Sequence, residues 1–147
     1  MTQEDKQLLL KDLCARLPYN VICQVEIKED GKYNSKDMLL SGIFTDEAYF
    51  TTKGGSVYSN EYKPYLFPLS SMTEGQKEEL NKKFNVQFSV NDIYSIHYHS
   101  EGYWDTDLEL GLQDWLWFIN WCYKNHFDIC GLIPMGLAID ATGLNIY

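Results

Sequence analysis

The residues best placed for chemistry in this chain are His97 and His99, which flank Tyr98. In a strand, residues two apart share a face, so both imidazoles can reach one ion. Glu101, Asp105 and Asp107 would supply oxygen ligands, and His126 a third nitrogen. Two histidines and a carboxylate suit zinc or iron, which makes a metal-dependent hydrolase one expectation. The competing expectation is that both histidines are plain surface residues, because the spacing defines no third ligand. Nucleophilic catalysis has less to stand on. Cys130 follows His126 closely, and a Cys–His pair works when the base lowers the thiol pKa. The neighbours of Cys130 are apolar, as befits an inert core cysteine. Ser70 and Ser71 lack a G-x-S-x-G context, and Gly54-Gly55 lacks the Lys-Ser/Thr of a phosphate loop. No catalytic residue and no cofactor are assigned.

A second constellation is aromatic. Tyr103, Trp104, Trp117 and Trp121 lie in or beside an apolar segment, 108–139. Leu108, Leu112, Trp115, Leu116, Ile119 and Cys122 recur there at helical spacing. If that face enters the core, Trp117 and Trp121 project away from it and form a patch for a protein partner or for self-association. The alternative is a helix buried nearly all round, with the sheet on one side and the GLIPMGLAI segment on the other.

These residues need elements to hold them. Thr2 and Asp5 have the spacing of a helix start, and Leu9, Leu10, Leu13, Cys14 and Leu17 give that helix an apolar face over 3–16. Pro18 ends it. VICQVEI (21–27) alternates as a strand, EDGKYN (29–34) is a charged turn, and DMLLSGIF (37–44) is a second strand. AYFTTK (48–53) is a third, with Tyr49 and Phe50 on opposite faces. The three make an antiparallel meander. Residues 54–72 show little periodicity and read as a long ordered connection anchored by Tyr65 and Phe67. Thr73 and Gln76 form a capping box for a charged surface helix over 74–84, with Leu80 and Phe84 pointing inward. Short strands are expected at 86–90 and 93–99, a turn at 101–107, and a third helix at 107–124 capped by Thr106 or Asp107.

Composition bounds the rest. The 147 residues fit one globular domain, 1–147. A net charge of −9 argues against nucleic acid unless the bases cluster. It permits an acidic protein that blocks a nucleic-acid-binding partner, although solubility explains the charge equally well. Cys14, Cys23, Cys122 and Cys130 form no CxxC pair. With a polar, acidic start and no secretory leader, they read as free thiols in a cytoplasmic protein. No apolar run approaches the ~20 residues needed to span a bilayer.

Two stretches, YKPYLFPLSSMTEGQKEEL (62–80) and NHFDICGLIPMGLAIDATGLNIY (125–147), resemble segments of an uncharacterised protein family of gut Bacteroides species, their prophages and their phages. The resemblance implies a bacterial or phage cytoplasmic setting and carries no activity or site residue with it. The expected fold is α+β: an antiparallel sheet of four to six strands packed against a C-terminal helix, with about three helices in total. The expected function is non-enzymatic and works through protein–protein contacts.

Overall fold

Leu13, Val25 and Phe50 lie at the centre of one apolar cluster, and Leu80, Trp121 and Phe127 at the centre of another. The elements around them are seen in a computed structural model that describes residues 1–44, 47–84, 97–98, 104–105 and 111–147. Among the described residues there are three α-helices, α1 (Gln3–Arg16), α2 (Glu74–Phe84) and α3 (Leu112–Lys124). A six-stranded sheet contains β1 (Ile22–Glu29), β2 (Lys32–Ile43), β3 (Ala48–Thr52), β4 (Gly55–Ser59), β5 (Tyr62–Leu66) and, later in the chain, Ile139–Asp140. Between α2 and α3, β6 (His97–Tyr98) pairs with β7 (Trp104–Asp105) in a separate two-stranded ladder, so Ile139–Asp140 is β8. The order in the large sheet is β4-β3-β2-β1-β5-β8, antiparallel except for the β5–β8 pair. This is an α+β fold.

Local chemistry explains the boundaries. The Thr2 hydroxyl accepts from Asp5 N–H, and the Asp5 carboxylate accepts from Thr2 N–H, closing the cap of α1. Thr73 and Gln76 do the same for α2. The first hairpin is tighter than the charged run 29–34 suggests. Asp30 and Gly31 both take positive φ, 49° and 78°, which suits a two-residue turn whose twist matches the strands. The strand therefore resumes at Lys32, and β2 is twelve residues long.

The stretch 54–72 is also more ordered than a connection, because it holds β4 and β5. Only Asn60 and Glu61 join these two strands, yet four strand steps separate them in the sheet. A flat sheet would put them about 19 Å apart at ~4.8 Å per step. The link reaches at most ~11 Å. The sheet must therefore curl until β4 approaches β1 and β5. The Ser59 hydroxyl donates to Glu26 O, which marks that closure.

The curl encloses the inward residues of the strands. Cys23, Val25, Met38, Leu40, Ala48, Phe50 and Leu66 meet Leu9 and Leu13 of α1, and Leu132, Leu137 and Ala138 fold back onto the same core. The helix on the sheet is thus α1. Helix α3 buries Phe118, Trp121 and Cys122 in the second cluster, with Leu80 of α2 and with Phe127 and Ile129. The expected inward face of α3 is corrected in part: Cys122 is buried and Trp115 and Ile119 pack half-buried against the second cluster, but Leu112 is 73% and Leu116 48% exposed. Leu108 and the expected caps Thr106 and Asp107 lie outside the described residues.

Candidate functional site

The backbone register pairs His97 with Asp105 and Tyr98 with Trp104. His99 and Tyr103 lie outside the described residues. His126, the expected third nitrogen, is buried, and its imidazole stacks flat on Tyr147 at 3.8 Å and 9°. Among the described residues, no group of three or more metal-ligating side chains gathers.

The tryptophan patch needs a correction. Trp121 is 5% exposed and lies between Phe118 and Phe127, with stacked ring centroids 6.4 and 5.6 Å away. It has no open face for a partner, because α2 and residues 127–129 cover that side of α3. Trp117 is half-buried against Phe84 and stacks on Trp121, with the Lys83 ammonium 5.3 Å from its ring centre.

A third cluster of reactive groups is buried at the seam of the two cores. Asp12 and Arg16 face each other one helical turn apart, with Nε–Oδ2 at 2.6 Å and Nη2–Oδ1 at 2.9 Å. Arg16 is 0% exposed, donates to Phe127 O at 2.7 Å, and lies 4.9 Å over the Tyr123 ring. Burial, reinforced by the Asp12 carboxylate, pushes the Cys130 thiol up to about 12. Burial pushes the Cys23 and Cys122 thiols up as well. Burial and the nearby Arg16 guanidinium lower His126 to about 4. At neutral pH the thiols are protonated and the imidazole is neutral, so a thiolate–imidazolium dyad does not form here. The cluster is built to hold α1 against residues 127–130.

The feature with the form of a binding site is on the other side of the sheet. In the register, Ile22, Leu39 and Thr51 lie side by side across β1, β2 and β3, on the face opposite the core. Together with residues 145–147 they line an open cleft of about 940 Å³, whose lining also includes Asp37 and Lys53. That size suits ligand recognition, as does an apolar floor with a few polar groups. The Tyr65 hydroxyl accepts from Gln24 and donates to Asp37 at 2.7 Å, which fixes the carboxylate. Next along β3 comes Tyr49, paired with Tyr58 on β4. Their rings are 4.9 Å apart, and Phe44 lies 5.7 Å from Tyr58. Phe44 and Tyr58 are 53% and 54% exposed. The cleft and this row of rings form one outer surface. Sequence reasoning passed over it, although the signal was there: Ile22 and Leu39 are apolar at the outward positions of alternating strands.

Comparison with protein families, with curated proteins and with solved structures finds no match to this chain.

Proposed function

We propose that this is a small, non-enzymatic, cytoplasmic protein that acts in a bacterial or phage setting by binding another protein through the outer face of its sheet. The observation that carries this reading is the row Phe44, Tyr58 and Tyr49, with Phe44 and Tyr58 exposed, Tyr49 half-buried, and Thr51, two residues along β3 from Tyr49, lining the 940 Å³ cleft. Tyrosine rings offer large contact area at small entropic cost and favour interface centres. The net charge of −9 steers the chain towards a partner with a basic surface around its apolar contact. The test compares wild type with the Tyr49→Ala/Tyr58→Ala double variant in cross-linked capture from host extract. Wild type retains a specific protein, and the variant loses it by about tenfold or more while its melting temperature stays close to wild type. Equal capture by a folded variant, or no specific protein on wild type, overturns the reading.

A further inference from the structure

Of the segment 142–147, residues 145–147 line the cleft, and Tyr147 supplies the ring packing that the segment has. Leu144 and Asn145 are exposed, and after Ala141 no residue of the segment joins either core cluster. The segment is held at Tyr147. The β1–β5 ladder runs from Val25 paired with Tyr62 to Cys23 paired with Pro64, so Ile22 and Tyr65 are the next opposed pair. They do not close on each other. The Tyr147 hydroxyl sits between them, accepting from Ile22 N–H at 3.3 Å and donating to Tyr65 O at 2.7 Å. The ring lies on the flat face of His126.

The slot, with Phe67 tilted 5.9 Å from the ring at its side, therefore offers one stacking face, one donor and one acceptor. A phenol answers all three. Phenylalanine lacks the hydroxyl, and tryptophan only donates. We infer that this slot is a tyrosine-recognition site, filled in cis by Tyr147, and that the partner presents a tyrosine on an extended segment that takes the slot in trans. The inference rests on the outer face being the contact surface. It makes residues 142–147 an intramolecular competitor for that surface.

The full-length Tyr147→Ala variant, with a synthetic TGLNIY peptide as the probe, tests it by nuclear magnetic resonance at the Ile22 amide. The peptide shifts that resonance saturably in the variant. The same peptide with phenylalanine in place of tyrosine binds about tenfold more weakly or less, as expected for a site that needs the hydroxyl. Wild type, with its slot filled, responds about tenfold more weakly or less. Equal binding of the two peptides, or no shift at Ile22 in a folded variant, overturns the inference. If Tyr147→Ala does not fold, Tyr147→Phe decides: exchange of the Ile22 amide rises by about tenfold or more relative to Val25, and an unchanged ratio overturns the inference. Neither readout involves Tyr49 or Tyr58, so failure of the slot is told apart from failure of the wider contact surface.

Discussion

His126 holds a left-handed backbone, φ 59°, while its imidazole is buried against Tyr147 and near Arg16. Non-glycine residues seldom take that conformation, but histidine and asparagine tolerate it better than most. The fold lowers the pKa from 6.5 to about 4, so the unfolded chain binds the proton first as pH falls. The imidazole's contribution to stability is complete above pH 6.5 and declines towards pH 4, by at most about 3.5 kcal/mol at ~1.4 kcal/mol per pKa unit. Asp128 acts in the opposite sense. Burial raises its pKa against the pull of the Leu132 and Ile133 amides, so lower pH relieves a cost. The comparison of wild type with His126→Asn isolates the imidazole. Urea unfolding across this range should show the variant losing less stability than wild type, and parallel profiles would refute the assignment. The identity of this residue was legible in the sequence, but its role was not. A histidine counted as a third metal ligand has become a wall of the tyrosine slot, because residues distant in the chain supply its neighbours.

Helix α3 shows why one apolar stripe does not fix a face. Its sequence carries two overlapping stripes at helical spacing, Leu112/Trp115/Leu116/Ile119/Cys122 and Trp115/Phe118/Trp121/Cys122. Periodicity supports both. Packing chooses the second, because Leu80 of α2 and Phe127 lie on that side. Trp121→Ala should cost about 3–5 kcal/mol through the cavity it leaves. Leu116→Ala, at an exposed position, should stay within about 0.5 kcal/mol. Chemical denaturation separates the two, and the reverse ranking would restore the first face. The helix starts and capping boxes of α1 and α2 were readable because they depend on residues three apart. Strands β4 and β5 were hidden because each is short and Gly54, Gly55 and Pro64 interrupt the pattern.

Across the whole molecule, the Asp12–Arg16 pair joins the two cores. Both residues belong to α1, which packs on the sheet, while Arg16 Nη2 reaches the carbonyl of Phe127 in the other cluster. Its Nη1 is buried without a hydrogen-bond partner among the described residues, so the guanidinium depends on Asp12 for compensation. Asp12→Ala should destabilise the fold by about 3–5 kcal/mol, because an unpaired charge is left out of water. Replacing both residues with apolar side chains of similar size, Asp12→Leu/Arg16→Met, should cost less than that single change. Denaturant midpoints measure both, and a single variant no worse than the double would remove the pair from this role. No described helix is long and apolar enough to cross a membrane.

The sequence by itself determined the α+β class, the three-strand meander and the bounds of α1 and α2. Each of these follows from neighbours within a few residues or from a simple alternation. Tertiary structure alone decided that α1 rather than α3 covers the sheet, that the sheet curls within a two-residue link, and that Tyr147 closes the gap between β1 and β5. Those outcomes depend on which surfaces meet across long separations in the chain, and burial and hydrogen-bond closure settle them only when every element is in place.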